Sequence, residues 1–206
     1  MKYDDALILA KELVEALSPA CRRIEIAGSV RRQKPECHDL EIVAIPSWEV
    51  QQRLNLFGEV GEIIQVNRLD QRLAELFDAG EWVLDEKLPR NGPKYKRLAH
   101  LATGLCCDLF LITRQGWGGA MVIRTGPADF SRAVVTVALR QGKHVADGYL
   151  LHGHPKETGC PYGEKCPRIV PTFEEEEFLT ALGLRWVDPP KRTSGDTEHA
   201  MRMSMS

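Results

Sequence analysis

Two carboxylates inside an apolar segment constrain this chain most strongly. Asp39 and Glu41 are separated by one residue, and both stand in an apolar run that is typical of a buried strand. Side chains alternate between the faces of a strand, so the two acids share one face while Leu40 and Ile42 pack on the other. A third acid, Asp108, lies in a second apolar run. We therefore predict a sheet in which the strands carrying these acids lie side by side.

Three converging carboxylates repel one another unless cations neutralise them. Hard oxygen ligands select Mg²⁺ or Mn²⁺, and a pair of such ions forms the clamp used for in-line phosphoryl transfer. We predict that Asp39, Glu41 and Asp108 are the metal ligands and the catalytic residues of an enzyme.

A candidate phosphate-binding segment precedes the paired acids. Gly28 allows close backbone approach, Ser29 offers a hydroxyl and an amide, and Arg31 and Arg32 follow at once. A glycine-serine pair alone is weak evidence, because turns contain many of them. The spacing strengthens it, since an apolar strand precedes Gly28 and Asp39 follows it by eleven residues.

This arrangement resembles the active-site signature of the nucleotidyltransferase superfamily, and specifically that of family X DNA polymerases. Further segments are similar to the same family in the same order: residues 92–96 leading into 107–109 resemble its third-carboxylate strand, 125–133 the start of its thumb, and 171–192 the C-terminal signature of the thumb.

The resemblance implies an α+β fold. Residues 1–115 would form a nucleotidyltransferase palm, a mixed β-sheet flanked by helices, residues 116–192 a small α/β thumb, and residues 193–206 a disordered tail. No counterpart of the family's N-terminal lyase or helix-hairpin-helix region precedes Gly28 in the printed sequence. We therefore expect a minimal palm-plus-thumb form without lyase activity.

The resemblance also implies roles for the candidate residues. Asp39 and Glu41 would bridge two Mg²⁺ ions, with some preference for Mn²⁺ from the longer glutamate, and Asp108 would bind the ion that activates a primer 3′-hydroxyl. The implied nucleotide-binding residues are Gly28, Ser29, Arg32, His38, Thr125 and Gly126.

The implied activity is addition of nucleoside monophosphates to the 3′-hydroxyl of a DNA primer, in short-gap or repair synthesis. Where the family has a Tyr-Phe pair before Thr-Gly, this chain has Ile123 and Arg124, so we expect weak sugar discrimination. Two alternatives stay open: transfer to an RNA end, a protein or a small molecule, and an inactive nucleic-acid-binding module. Expected partners are primer-template or gapped DNA, nucleoside triphosphates and an accessory protein, and we expect a monomer.

Composition agrees with a small intracellular enzyme. The chain has 206 residues with 43% apolar content, enough for a sizeable core. Its six cysteines do not resemble a secreted disulfide framework, so we expect a cytoplasmic protein, and no apolar run is long enough to predict a membrane span. The net charge of −2 leaves DNA binding to local basic clusters, for which residues 87–97 and 132–143 are the candidates.

A histidine- and cysteine-bearing segment offers a candidate structural zinc site, with His152, His154, Cys160 and Cys166 as ligands. The five residues between the cysteines are more than most zinc sites have, so a plain loop is the favoured interpretation.

Periodicity predicts the following elements: helices at 4–17, 49–56 and 71–79; strands at 22–27, 40–46, 82–84, 97–101 and 107–112; a junction between palm and thumb at 113–119; and a helix ending near 141.

Overall fold

The structure, a computed structural model, describes residues 1–54, 60–153 and 166–192. Its first part is built on a mixed five-stranded sheet of order β1-β2-β7-β6-β5. The strands are β1 (Cys21–Ile26), β2 (Asp39–Pro46), β5 (Trp82–Leu84), β6 (Tyr95–His100) and β7 (Cys106–Leu111). Only the β2–β7 pair is parallel among these neighbours, and the α+β class is therefore confirmed.

Two helices cover one face of this sheet: α1 (Tyr3–Leu17) and α3 (Arg68–Asp78). Helix α1 buries the apolar positions that recur at helical spacing, and its buried residues are Ala6, Leu9, Ala10, Leu13 and Leu17. They pack on Leu40 and Ile42 of β2 and on Cys107 and Leu109 of β7, all fully buried. Burial of this face leaves the acidic residues of the same strands on the opposite face.

The helix predicted at residues 49–56 is wrong over its described part. Residues 48–54 form strand β3 (Trp48–Leu54), which pairs antiparallel with β4 (Val60–Asn67) in a separate two-stranded hairpin. The segment begins as a helix would, with Ser47 before Trp48 and Glu49 in the first turn, and its partner strand lies several residues further on, where local periodicity does not reveal it. Residues 55–59 lie outside the described part of the chain.

The C-terminal part begins with α4 (Trp117–Thr125), directly after a 3₁₀ turn at Arg114–Gly116. It continues through α5 (Ala128–Arg140), the three-stranded sheet β10-β9-β8 and α6 (Glu175–Thr180). The strands of this sheet are β8 (Lys143–Ala146), β9 (Tyr149–His152) and β10 (Ile169–Val170). The predicted α5 helix is confirmed.

Helix α4 joins the two parts. Its Trp117 and Met121 pack with Val43 of β2 and Ile112 at the end of β7, so the hydrophobic interior runs across the predicted boundary at residue 115. The division into palm and thumb at that residue stays a prediction, and the tail at 193–206 lies outside the described residues. No helix within the described ranges is both long and apolar enough to cross a bilayer.

Candidate active site

The parallel β2–β7 pair brings the three acids to one face of the sheet. Glu41 is the direct register partner of Asp108, and Asp39 precedes Glu41 by two residues on the same strand face. All three side chains are partly exposed, whereas Leu40 and Ile42 between and beyond them are fully buried. The strand register therefore brings Asp39, Glu41 and Asp108 together on one face, as the alternating pattern predicts.

Gly28 fits closely beneath Glu41. It begins the short helix α2 (Gly28–Arg31) with φ = 63°, a backbone conformation that glycine adopts without strain. A Cβ atom added there would lie 2.9 Å from the Glu41 Cβ and would overlap the carboxylate. The preceding amide, of Ala27, donates a 2.7 Å hydrogen bond to the Glu41 carbonyl. The glycine-serine turn is therefore built directly against the acidic strand.

The pKa values of two of the three acids are raised above their ordinary values. Burial, reinforced by the negative charges of Asp39 and Asp108, raises the pKa of Glu41 to about 7, although Arg32 and Arg124 act in the opposite direction. Burial and the nearby Asp108 also raise the pKa of Asp39. The arginines around the site thus leave negative charge uncompensated, and a bound cation would relieve it. Carboxylate oxygens are the donors that Mg²⁺ and Mn²⁺ prefer, so the donor type of these three residues suits such an ion.

Asp108 is held by two neighbours on β6. The Arg97 Nη1 atom lies 2.5 Å from Asp108 Oδ1, and the Tyr95 hydroxyl donates a 2.7 Å hydrogen bond to the same oxygen. Arg97 Nε binds the buried Asp85 at 2.8 Å. Burial alone would lower the pKa of Arg97, but the hydrogen bonds to Asp85, Tyr95 and Asp108 raise it well above its usual value.

Sequence reasoning missed this network of Asp85, Tyr95 and Arg97. The predicted strand at 97–101 could have revealed it. An arginine that lies opposite an acid on the neighbouring strand is in contact with that acid, and Arg97 lies opposite Asp108. In the described part of the chain, no group of three or more histidine, cysteine or acidic side chains is arranged so that it could hold a metal ion. The assignment of the three acids as metal ligands stays a prediction.

The phosphate-binding candidates include two donor atoms without hydrogen bonds. Ser29 Oγ and Arg32 Nε are buried and have no hydrogen-bond partner among the described residues. Buried donors of this kind are costly unless a ligand satisfies them. Burial lowers the pKa of Arg32, while Glu41 acts to raise it. Gly28, which precedes Ser29, packs against Glu41, and the charges of Glu41 and Asp39 act on Arg32. An anionic group bound at the two donor atoms would therefore lie near the acidic face.

The other residues predicted to bind nucleotide, Thr125, Gly126 and His38, differ in burial and in hydrogen bonding. Thr125 is fully buried; its hydroxyl accepts a 2.9 Å hydrogen bond from Arg31 Nη1, and its carbonyl accepts one from Arg32 Nη1. Gly126 follows in a buried position with φ = 66°, and its peptide bond to Pro127 is cis. His38 is exposed beside Asp39. Their roles in nucleotide binding stay predictions.

Arg31 joins the turn to the C-terminal part. Its Nη2 atom lies 2.5 Å from Glu175, whose other oxygen is 3.1 Å from Arg192 Nη2. Glu175 and Arg192 are both buried, and Arg192 also lies over the rings of Phe130 and Trp186. Arg31 is thus a structural link rather than one more free surface charge.

Arg124 lies next to the acids, against an aromatic ring. Its Cζ atom is 3.8 Å from the centre of the Phe110 ring, within the range of a cation–π contact. Burial lowers the pKa of Arg124, and the charges of Glu41 and Asp108 act to raise it. Together with Asp108, Phe110 and Tyr95, it lines a cavity of about 360 Å³.

The predicted basic cluster at 87–97 is only partly available for DNA. Lys96 is buried, with Nζ 2.8 Å from Asp70 and 2.6 Å from Asn91, and Arg97 is engaged with acids. Lys94 is exposed but paired with Asp147 at 2.9 Å. On α5, Arg132 pairs with Asp129.

The zinc candidates are incompletely described. His154 and Cys160 lie outside the described residues, His152 is exposed at the end of β9, and Cys166 is buried and engaged in a disulfide bond. The plain loop and the zinc site therefore both stay predictions, but a Cys166 sulfur held in a disulfide is not the thiolate that zinc binds. Four other cysteines, Cys21, Cys37, Cys106 and Cys107, are free thiols.

The fold defined by this sheet and its C-terminal helices is that of the family X DNA polymerases. The chain is similar to a crystal structure of Leishmania infantum polymerase beta in a ternary P/T complex, with a TM-score of 0.68 and 18% identity over 94% of this chain and 76% of that chain. It is equally similar to the ternary gap complex of the same enzyme, with a TM-score of 0.69 and 18% identity over 93% of this chain and 70% of the other. By sequence, no family model matches the chain, and no curated protein matches it.

Proposed function

We propose that this protein is a DNA-directed nucleotidyltransferase that adds nucleoside monophosphates to a primer 3′-hydroxyl. The observation that carries the proposal is the pairing of Glu41 with Asp108 across parallel strands, with Asp39 on the same face. The polymerase beta structures to which the chain is similar are a ternary P/T complex and a ternary gap complex, which supports DNA as a partner.

Asp39, Glu41 and Asp108 would hold two divalent ions. When bound, Mg²⁺ supplies Lewis-acid polarisation of the reacting phosphate and neutralises charge that develops on the leaving group. The carboxylates themselves would orient the acceptor hydroxyl, and Asp108 would accept its proton. Arg97 and Tyr95 fix Asp108 for that task, because both bind one of its oxygens.

The triphosphate would lie at the glycine-serine turn. Ser29 Oγ and Arg32 Nε, which have no hydrogen-bond partner in the described part of the chain, would donate to its oxygens. A positively charged guanidinium there stabilises the departing pyrophosphate more strongly than the intact substrate, which is the condition for acceleration.

Sugar discrimination is proposed to be weak. Arg124 stands in the last helical turn before Thr125 and stacks on Phe110, so no aromatic ring from that position of α4 excludes a ribose hydroxyl. Short-gap or repair synthesis is the proposed role.

The test is extension of a labelled primer on a gapped template, with each deoxynucleotide or ribonucleotide and with Mg²⁺ or Mn²⁺. We expect templated addition, release of pyrophosphate and comparable rates for the two sugars. Strong preference for deoxynucleotides would reject weak discrimination alone. Absence of addition on every DNA substrate, with metal-dependent consumption of nucleotide on an RNA end, a protein or a small molecule, would reject DNA as the acceptor.

A further inference from the structure

We propose that a groove leading away from the acids binds a single-stranded segment of nucleic acid, with Trp48 stacked on one of its bases. This binding goes beyond the proposed function and does not depend on it.

The groove is continuous with the candidate active site. The cavity of about 360 Å³ at Asp108 adjoins a second cavity of about 450 Å³ that reaches Trp48. The two cavities share four lining residues: Lys94, Leu111, Ile112 and Asp147. Cavities of roughly 300–1,000 Å³ take single small ligands. Each therefore has room for a nucleotide-sized group.

Trp48 has an exposed indole ring, and hydrogen bonds hold the backbone next to it in place. Its side chain is 52% exposed, yet its neighbour Ser47 donates a 2.9 Å backbone hydrogen bond to Ala20 and accepts one of 3.0 Å from the Arg68 amide. Across the hairpin Trp48 pairs with Asn67, which caps helix α3. An exposed aromatic ring that the fold holds in place is the platform on which single-stranded bases stack, independently of sequence.

Cations are spaced along the groove. Arg22 is exposed at the Trp48 end, Lys94 lies in the middle, and Arg124 lies beside Asp108. Lys94 and Asp147 form an exposed ion pair across the groove, and such pairs are weak. A phosphate group can therefore replace Asp147 as the partner of Lys94. Spaced cations beside an aromatic platform match the alternating phosphates and bases of one strand.

The test is binding of labelled single-stranded oligodeoxythymidylate, and separately oligouridylate, to the full-length protein in EDTA, where no transfer occurs. Fluorescence anisotropy gives the affinity. We expect Trp48→Ala to weaken binding by on the order of tenfold and Trp48→Phe to retain most of it. Val50→Ala is the matched control, because Val50 is 63% exposed on the same hairpin face but does not line the cavity.

A spectroscopic readout separates stacking from folding. Bound strand should quench tryptophan emission in the wild type and in Trp186→Phe, and the quenching should be largely lost in Trp48→Phe, since Trp82 and Trp117 are buried. Equal affinity of Trp48→Ala and wild type, or quenching that persists in Trp48→Phe, would overturn the proposal. Trp48-dependent binding by a protein that transfers no nucleotide would support the groove and reject the proposed function.

Discussion

Arg97 and Asp108 face each other across the β6–β7 pair, with Arg97 Nη1 2.5 Å from Asp108 Oδ1. The Tyr95 hydroxyl binds the same oxygen, and within the described residues the hydrogen bonds to this carboxylate reach Oδ1 only. The arrangement fixes the carboxylate while its second oxygen keeps its lone pairs for a ligand.

Arg97→Met should lower kcat by about 10- to 100-fold, because groups that orient a metal-binding carboxylate have effects of that size. Arg97→Lys should recover only part of the activity, since an ammonium group cannot bind Asp85 and Asp108 as a planar fork does. Steady-state rates over a range of Mg²⁺ concentrations measure the effect, with thermal unfolding as a check on folding. Wild-type rates and Mg²⁺ dependence in Arg97→Met would contradict a positioning role.

Gly28→Ala should abolish activity and destabilise the protein, whereas Gly80→Ala should cost only about 1 kcal/mol. Both glycines have positive φ, of 63° and 76°, so both substitutions carry a similar conformational cost. A Cβ at Gly28 would also overlap the Glu41 carboxylate, while one at Gly80 meets no atom within 4 Å. Urea unfolding of the two variants compares them directly. Equal losses of stability would show that Glu41 does not pack where described.

Glu41 should make the metal-free protein less stable as the pH rises from about 4.5 to about 7. Its pKa is raised from 4.5 to about 7 in the folded state, so in this window the folded chain holds a proton that the unfolded chain releases. The loss is complete above pH 7. Glu41→Gln should therefore be more stable than wild type at pH 8 by about 1–3 kcal/mol, with the difference vanishing near pH 4.

Urea unfolding in EDTA at pH 4, 6 and 8 measures this difference. Some pH dependence should remain in the variant, because the pKa of Asp39 is raised in the same direction. Added Mg²⁺ should raise the melting temperature of the wild type at pH 8 more than that of Glu41→Gln. Parallel pH profiles for the two proteins would be the contrary result.

Glu175→Ala should destabilise the fold by about 3–5 kcal/mol, because it leaves the fully buried Arg192 without its carboxylate partner. Arg31 would lose its link to the C-terminal part at the same time. Glu75→Ala breaks only an exposed pair with Arg72 and should cost less than about 1 kcal/mol. Chemical denaturation tests both, and similar small losses in the two variants would show that the buried network contributes little.

The acidic strands could be predicted because alternation of apolar and polar residues is a local property. Leu40 and Ile42 are buried as expected, and this places Asp39 and Glu41 together without further information. Helix α1 was predictable for the same reason, since its apolar spacing is regular over 15 residues.

Long-range pairing was not predictable in the same way. Strand β3 depends on β4, which local periodicity does not identify, and so residues 49–54 were misassigned as a helix. The contact of Arg97 with Asp108 depends on the register of β6, and that of Arg31 with Glu175 joins residues 144 positions apart. An arginine doublet looks the same in a sequence whether it binds a ligand, a neighbouring helix or solvent.

The most direct test of the central proposal is single-nucleotide insertion into gapped DNA by the wild type and by Asp108→Ala. Both proteins should first show the same far-ultraviolet circular dichroism, so that a folding defect is excluded. We expect Mg²⁺-dependent templated insertion by the wild type and a loss on the order of 10³-fold or more in the variant. Insertion by Asp108→Ala at the wild-type rate would contradict the assignment of the three carboxylates as the catalytic centre.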